Sequence, residues 1–458
     1  MSSLPEVPVR HSAPVVGLLL VIEHFLPVFS RRSFEKSRQL WLSWLLVDGP
    51  RRVSSALVAG GLSGQRHHGA WYRLFSSARW SADELGRRLV LLVLETFVAA
   101  DAPVVVALDD TLAHHKGPKV WGIGNHLDAV RSTRGVRVFA FGHLWVVASI
   151  VVRPAFSHRP WAIPVLFRLY RTQKVSQKQG VAHRTKTALA RELIELLAAW
   201  LPDRRLCLVA DRQYACRPVA RDLPDNVEFV GAMHPDAALT APPEAAQSGR
   251  GRRRIRGERL PTPAQVAADP DLPWQTAEVT LYGRRQTLRY KTLDAQWYRV
   301  CHGALVRVVV VDVPTGGLGI RVYFSTDLSL QPADILQRYA LRWTIEVAFR
   351  DLKQTVGLSH SNCRSRPAVQ RTVPWVATLY GITIVWYERF GHRSALDAVL
   401  CRPWYRHRKG PSYADIARAA RIAAAWSGLV DPLGWNGLDN KWTATRRASA
   451  AVSSRTAA

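Results

Sequence analysis

Residues 337–353 read Gln337-Arg-Tyr-Ala-Leu-Arg-Trp-Thr-Ile-Glu-Val-Ala-Phe-Arg-Asp-Leu-Lys353, a pattern that predicts one helix. Its polar residues Tyr339, Arg342, Glu346 and Lys353 follow one another at spacings of three, four and seven. These spacings place the four side chains within an arc of roughly 60°, in a column about 20 Å tall. A carboxylate flanked by cations suits a divalent metal beside a phosphodiester, because carboxylates bind the metal and cations hold phosphate oxygens. The alternative is a solvated face with ion pairs.

The charge of the chain agrees with a nucleic-acid partner. Lys and Arg number 63 against 35 Asp and Glu, which gives a net charge of +28 in a chain of 458 residues that is 48% hydrophobic. A globular chain this basic is expected to bind a polyanion, although basic surfaces also bind acidic membranes. The apolar runs Pro14–Ile22 and Val136–Val152 are too short, or too interrupted by polar residues, to predict a membrane span. The five cysteines are scattered and lack a Cys-x-x-Cys pair, so we expect reduced thiols in a cytoplasmic protein.

Helical and strand patterns succeed one another along the chain. Residues 1–100 combine helical periodicity with arginine clusters, and Ser81 predicts the N-cap of a helix. Alternating or apolar runs then predict strands at Ala102–Leu108, Val136–Ala140, Leu144–Val152, Arg205–Ala210, Val227–Ala232, Glu278–Tyr290, Tyr298–Asp312 and Ile320–Ser325. The second and third of these are predicted to join near Gly142. The pattern indicates a mixed α/β fold with flanking helical parts.

Three carboxylates are candidates for a metal site. Asp110 follows the first predicted strand, Asp211 follows the fourth, and Glu346 lies on the late helix. If those two strands are neighbours, both aspartates emerge at one edge of the sheet, and three carboxylates there can hold two divalent cations about 4 Å apart. A strand-end Asp is also a common turn or helix cap, so each acid alone has a structural alternative.

These residues resemble the DDE transposases of bacterial insertion sequences, in the class marked by Tyr-x2-Arg-x3-Glu-x6-Lys. The helix at 337–353 matches that pattern without a gap. Leu108-Asp-Asp-Thr111 is similar to the family's first-aspartate motif, and Ala210-Asp-Arg212 is similar to its second. The resemblance covers roughly residues 100–395.

The resemblance implies an RNase H-like catalytic domain that uses Mg²⁺, with Mn²⁺ as a substitute, to cut element ends and join them to target DNA. It implies three metal ligands, Asp110, Asp211 and Glu346. It implies that Tyr339, Arg342 and Lys353 contact DNA near the scissile phosphate. We also expect Arg212 to bind DNA. Asp109 is the rival for the first ligand, and the resemblance prefers the residue next to Thr111. Asp327 is a rival third acid that we interpret as a cap.

The resemblance also implies an order of segments in which an all-β insertion interrupts the catalytic domain. We expect a helical DNA-binding region at 1–100, the first part of the RNase H-like core at 101–234, a basic loop and strand insertion at 235–331, the second part of the core at 332–395, and a basic, helical C-terminal region with a disordered end at 396–458.

Several residues have weaker assignments. In hairpin-forming relatives a Trp from the insertion stacks on a flipped base. Trp274 and Trp297 lie in that region, but core packing is the competing interpretation. Trp343 could also belong to the core. Histidines including His114 and His143 lack metal-ligand spacing, so we expect them to be solvated or hydrogen-bonded.

The expected partners are double-stranded DNA, as transposon ends and as target, and a second copy of the chain in a homodimeric synaptic complex. The expected setting is the bacterial cytoplasm, in association with the nucleoid. Two alternatives remain open: an RNase H-like DNA endonuclease without strand transfer, and a domesticated, non-catalytic DNA-binding protein.

Overall fold

The computed structural model describes residues 13–64, 67–117, 119–133, 135–243, 255–312, 319–394, 396, 404 and 410–430. The chain forms two compact units, one of residues 1–88 with 354–458 and one of residues 89–353. The first unit therefore joins the two ends of the chain, which the sequence analysis had assigned to separate regions. Residues 244–254 of the predicted basic loop, and residues 431–458 with the predicted disordered end, lie outside the described residues.

Five helices precede the first strand: α1 (Ala13–Glu23), α2 (Arg31–Leu46), α3 (Val53–Ala59), α4 (Gly69–Ser76) and α5 (Ala82–Phe97). Helix α1 contains the apolar run Pro14–Ile22, and five of its residues are buried. The predicted cap of α5 is confirmed, because the Ser81 hydroxyl accepts a hydrogen bond from the backbone N–H of Glu84.

A single ten-stranded sheet organises the second unit. Its strands are β1 (Val104–His114), β2 (Gly124–Leu127), β3 (Phe139–Val152), β4 (Trp161–Tyr170), β5 (Leu206–Ala210), β6 (Val227–Met233), β7 (Gln275–Leu281), β8 (Arg284–Gln296), β9 (Leu305–Asp312) and β10 (Ile320–Ser325). They lie in the order β2-β3-β1-β5-β6-β10-β9-β8-β7, and β4 also pairs with β3. Strands β1, β5 and β6 are parallel, whereas the other pairings are antiparallel. The predicted mixed α/β class is confirmed.

Helices of the second unit cover this sheet or connect its strands. They are α6 (Gln173–Lys178), α7 (Lys186–Trp200), α8 (Arg217–Ala220), α9 (Pro263–Ala268), α10 (Tyr298–Cys301), α11 (Pro332–Ala340) and α12 (Trp343–Asp351). Helix α7 packs against β3 and β4, and α12 packs against β4 and β1.

The predicted turn near Gly142 is wrong, because β3 runs through that glycine without a break. Gly142 pairs with His114 on β1 and with Gly124 on β2. A Cβ atom at this position would lie 2.3 Å from the carbonyl oxygen of Ala113. The glycine therefore permits a close approach of backbones rather than a turn.

The strands predicted as an insertion extend the sheet of the second unit. β10 pairs with β6, and β9, β8 and β7 follow outward. The stretch that begins at Tyr298 was predicted as one strand, but its first residues form helix α10, and β9 starts only at Leu305.

The prediction of one continuous helix over 337–353 is wrong, because the chain divides it into α11 and α12. Around Leu341 and Arg342 the backbone N–H groups bond to carbonyls three residues back, as in a tighter turn. The hydroxyl of Thr344 donates to the carbonyl of Leu341 at 2.7 Å, which occupies an acceptor that a continuous helix would use. Tyr339 therefore lies on α11, and Glu346 lies on α12.

Two further helices, α13 (Arg366–Trp386) and α14 (Tyr413–Trp426), complete the first unit. The rings of Trp41 and Trp375 stack there at 5.3 Å, and the indole N–H of Trp41 donates to the carbonyl of Trp375. This contact places residues 334 positions apart in one core. Within the described residues, every helix is too short or too polar to cross a bilayer.

Candidate active site

The first acids of the candidate site lie on the neighbouring parallel strands β1 and β5. The paired register ends at Leu108 opposite Ala210, so Asp109 and Asp211 are the next residue on each strand. The prediction that the first strand stops at these acids is wrong, since β1 continues to His114 and pairs there with β3. Asp109 and Asp110 are therefore strand residues whose side chains point to opposite faces of the sheet.

Asp109 faces helix α12 and shares a guanidinium with Glu346. Arg342 donates from Nη1 to Asp109 Oδ2 at 3.1 Å and from Nη2 to Glu346 Oε1 at 2.8 Å. The exposed fractions of these side chains are 14% for Arg342, 18% for Asp109 and 35% for Glu346. One cation thus joins two carboxylates that are more than 230 residues apart, and the cluster opens to solvent at Glu346.

Burial and repulsion between carboxylates disfavour the charged form of Asp109 in this cluster. Burial, followed by the negative charges of Asp211 and Asp110, raises the pKa of Asp109 to about 7, against the opposing effect of Arg342. Burial alone would lower the pKa of Arg342, but Tyr339, Asp109 and Glu346 together raise it above its usual value. Arg342 therefore stays protonated and places a positive charge beside Asp109 and Glu346.

Asp110 occupies a different environment on the opposite face. Its carboxylate accepts hydrogen bonds from Lys186 Nζ at 3.0 and 3.2 Å, from Gln213 Nε2 at 3.1 Å and from the Tyr214 hydroxyl at 2.8 Å. Burial and the nearby Asp110 carboxylate raise the pKa of Tyr214, so this hydroxyl stays a donor. Asp110 thereby fastens α7 and the loop after β5, which carries Asp211.

Two of the candidate DNA contacts, Tyr339 and Arg342, lie beside the acids, whereas Lys353 lies in a π-helical turn, Leu352–Val356, that follows α12. The ring of Tyr339 lies 5.9 Å from the Arg342 guanidinium and 4.6 Å from the ring of Tyr323. Burial raises the pKa of Tyr339 to about 12. Lys353 is half-buried, and burial lowers its pKa, while Asp128 acts in the opposite direction. Arg212, next to Asp211, is exposed.

The three tryptophans considered as core residues differ in burial and in their contacts. Trp343 is 50% exposed and makes an edge contact at 6.4 Å with Tyr282, itself 63% exposed, so Trp343 is not a core residue. Trp297 is buried against Phe324. Trp274 lies under two cations, with Lys291 Nζ 4.8 Å from its ring centre.

The histidines and the rival third acid make local contacts. His114 hydrogen-bonds Asp128 at 2.8 Å, and His143 hydrogen-bonds the carbonyl of Trp121 at 2.9 Å, which confirms hydrogen-bonded histidines at both positions. Asp327 accepts bonds from the backbone and hydroxyl of Ser329, as a turn-capping residue does.

In the described part of the chain, no three side chains among His, Cys, Asp and Glu stand close enough to hold one metal ion together. Arg342 lies between two of the candidate ligands, since its guanidinium bridges Asp109 and Glu346. The donor set nevertheless suits a divalent cation, because it consists of hard carboxylate oxygens, and one of these carboxyl groups, Asp109, has its pKa raised by burial and by like charges. A cation would relieve that repulsion.

Sequence reasoning missed two participants, Lys186 and Tyr214, and favoured Asp110 over Asp109. Lys186 and Tyr214 lie in stretches without a motif. Side chains alternate along a strand, so Asp109 and Asp110 cannot both face α12. This alternation was the available signal in the sequence that the two aspartates have different environments.

Comparisons with known proteins follow this geometry. A family model described as DDE superfamily endonuclease matches residues 24–303, and one described as archaeal putative transposase ISC1217 matches residues 297–377. No curated protein matches the chain. One similar solved structure is a cryo-EM structure of a piggyBac transposase synaptic complex with hairpin DNA, with 9% identity, a TM-score of 0.40, and coverage of 94% of this chain and 80% of that chain.

Proposed function

Because the chain belongs to the family of DDE superfamily endonucleases, we propose that it is a DNA transposase of the Tyr-Arg-Glu-Lys class. It binds the ends of an insertion sequence, cleaves them by metal-dependent hydrolysis and joins the 3′-hydroxyl ends to target DNA by cut-and-paste. The observation that carries this proposal is the ion-pair cluster in which Arg342 joins Asp109 and Glu346 beside Asp211. Strands β4, β3 and β1 are antiparallel neighbours, and β5 and β6 continue the sheet parallel to β1. Strands β7–β10 precede α12 in the chain. This arrangement supports an RNase H-like core with an insertion.

We assign Asp109, Asp211 and Glu346 as the metal ligands, with Asp109 in place of Asp110. The expected ion is Mg²⁺, with Mn²⁺ as a substitute. Such ions, when bound, activate a nucleophile and neutralise the leaving oxygen. Asp110 is a positioning residue instead, because its oxygens are already engaged by Lys186, Gln213 and Tyr214.

The remaining polar residues of the face position the DNA backbone. Arg342 and Tyr339 lie beside the acids and hold phosphate oxygens through charge and hydrogen bonds. Lys353, in the turn after α12, supplies a further cation for the DNA backbone. Exposed Arg212 makes a further contact next to Asp211. The hydroxyl of Tyr339 remains protonated at neutral pH, since burial raises its pKa to about 12, and it therefore acts as a donor.

Tyr339→Phe is expected to retain measurable cleavage, because the tyrosine holds a phosphate oxygen and is not the nucleophile. The loss of one such hydrogen bond to a charged group corresponds to about tenfold to a hundredfold in rate. The measurement is end-labelled DNA run on a denaturing gel after reaction of wild type and variant. Wild-type products are expected to carry free 3′-hydroxyl ends. A denaturation-resistant adduct between DNA and Tyr339 would overturn this mechanism.

Arg342→Ala is expected to tighten Mn²⁺ binding about tenfold in the absence of DNA, equivalent to about 1.4 kcal/mol, because a competing cation leaves the carboxylates. The same change is expected to weaken DNA binding and cleavage, since a phosphate contact is lost. Electron paramagnetic resonance of Mn²⁺ measures the first effect without any reaction. Arg350→Ala, whose exposed guanidinium pairs with Asp351 on the same helix, is the matched control. Weaker Mn²⁺ binding by the Arg342 variant would contradict the assignment.

An endonuclease without strand transfer is the alternative function that uses the same cleavage chemistry. The reaction products distinguish it from a transposase. Incubation of the protein with its flanking DNA and a target plasmid is expected to give joined products, whereas a nuclease gives cut ends alone. Inverted repeats in the DNA that borders the gene would support an insertion sequence. The non-catalytic alternative predicts no metal-dependent cleavage at all.

DNA-end recognition is assigned to the helical unit as well as to the catalytic one, and two copies are expected to pair two ends. Exposed Arg31 and Arg32 begin α2 in that unit. A simple N-terminal deletion does not test this role, because residues 1–88 share a core with residues 354–458. Substitution of both arginines by glutamine, followed by salt-dependent binding to the element end, tests it instead.

A further inference from the structure

An exposed apolar surface lies on the β2–β3 ribbon, which we define as residues 124–127 of β2 and 139–142 of β3. Leu127 pairs directly with Phe139, and Asn125 pairs with Phe141. Leu127 is 46% exposed, Phe139 58% and Phe141 63%. Two phenyl rings and an isobutyl group thus stand on one outward face, where large apolar side chains usually mark a binding surface.

The ribbon shares a sheet face with the proposed metal ligands. Asp109 pairs with Val147, and side chains alternate along β3, so Phe139 and Phe141 lie on the same face as Asp109. The six residue steps from Val147 to Phe141 span about 20 Å of strand. The ribbon is therefore within reach of the DNA strand that occupies the candidate active site.

The charges around the ribbon are positive. Exposed Arg131 and Arg137 lie in the connection between β2 and β3. Lys116 is exposed beside Phe141, since the preceding residue, His115, donates its backbone N–H to the Phe141 carbonyl. The nearby acid, Asp128, is 3% exposed and is bound by His114 and Arg131. An apolar partner would match only the exposed rings. A polyanion with flat apolar groups would match both the rings and the surrounding cations.

We propose that the ribbon binds unpaired DNA by stacking Phe139 and Phe141 on its bases, about 20 Å along the sheet from the proposed metal ligands. Aromatic side chains on an exposed sheet face, two residues apart and surrounded by cations, are suited to stack bases while the cations hold phosphates. This inference rests on the proposed function, because it takes DNA as the molecule that lies across the site. Separation of the strands at a cleaved end would supply the unpaired segment.

The test compares two double variants of the ribbon in full-length protein that also carries Glu346→Gln. Phe139→Leu with Phe141→Leu keeps an apolar surface but removes the rings, whereas Phe139→Tyr with Phe141→Tyr keeps the rings. Anisotropy of a labelled single strand, without divalent metal, is expected to show affinity reduced about fivefold to a hundredfold for each base released in the leucine variant. The tyrosine variant is expected to bind as tightly as its parent, and all of these proteins are expected to bind the same sequence as a duplex within about twofold.

Val136→Ser is the matched control, because Val136 is 60% exposed in the same connection but carries no ring. Wild-type affinity of the leucine variant for unpaired DNA would overturn the proposal, and so would an equal loss for single strand and duplex. A dimer in the parent that becomes monomeric only in a Phe139→Ser, Phe141→Ser variant would assign the ribbon to a second copy of the chain. The binding measurement contains no cleavage step, so failure of the proposed function, scored by cleavage, is seen separately.

Discussion

Glu346→Gln is expected to lower metal-dependent DNA cleavage about a thousandfold or more, equivalent to about 4 kcal/mol. Glutamine preserves the shape of the side chain and its hydrogen bond from Arg342 but removes the charge that a divalent cation needs. Binding of DNA is expected to stay within about twofold, because phosphate contacts come from cations. Nicking of supercoiled plasmid in Mg²⁺ or Mn²⁺ measures the first quantity, and anisotropy of labelled DNA measures the second.

Glu278→Gln is the control for this experiment. Glu278 is an exposed residue of β7 that pairs with Arg285, so its substitution changes the net charge of the protein by the same amount away from the acids. It is expected to cleave as wild type does. Cleavage by Glu346→Gln at the wild-type rate would remove Glu346 from the mechanism, whatever the control shows.

Asp109→Asn and Asp110→Asn are expected to differ, although the residues are adjacent. Asp109→Asn is expected to lose about a thousandfold or more in cleavage, as Glu346→Gln does. It is also expected to fold at least as stably without metal, because burial and the charges of Asp211 and Asp110 disfavour the ionised form of Asp109. Asp110→Asn is expected to lose about tenfold to a hundredfold, the usual effect of a residue that orients a ligand.

Three readouts separate a ligand from a positioning residue. The Mn²⁺ concentration that gives half-maximal cleavage is expected to rise in Asp109→Asn and to stay unchanged in Asp110→Asn. Melting temperature is expected to fall in Asp110→Asn, because Lys186 loses its charged partner. Addition of Lys186→Gln is expected to recover part of that loss and part of the activity. The reverse pattern of metal dependence would return the first ligand to Asp110.

The sequence predicted the composition of the site better than its geometry. Tyr339, Arg342 and Glu346 were found by spacing alone, and the structure places Tyr339 and Glu346 beside the Arg342 guanidinium. The spacing argument assumed a continuous helix, however, and a hydroxyl-to-carbonyl hydrogen bond from Thr344 helps to divide it. Hydrogen bonds of that kind depend on local competition for an acceptor, which hydrophobic periodicity does not reveal.

Long-range pairing explains the other differences. Gly142 was predicted as a turn, but its lack of a side chain allows three strands to approach. Strand β4 was missed because a buried strand is apolar throughout and lacks alternation. The choice between Asp109 and Asp110 required knowledge of which face α12 covers, and that is a property of the assembled sheet. Local patterns therefore identified most strands, whereas their faces and neighbours came from the fold.

The central claim is that Asp109, Asp211 and Glu346 bind the catalytic metal. The most direct measurement is the anomalous scattering of Mn²⁺ in crystals of the full chain bound to uncleaved DNA. The account predicts manganese bound by these three carboxylates, with Arg342 moved from between Asp109 and Glu346 to a phosphate, and with Asp110 still bonded to Lys186 and Tyr214. Manganese on Asp110, or a DNA complex in which Arg342 still bridges Asp109 and Glu346 with no metal on them, would contradict it.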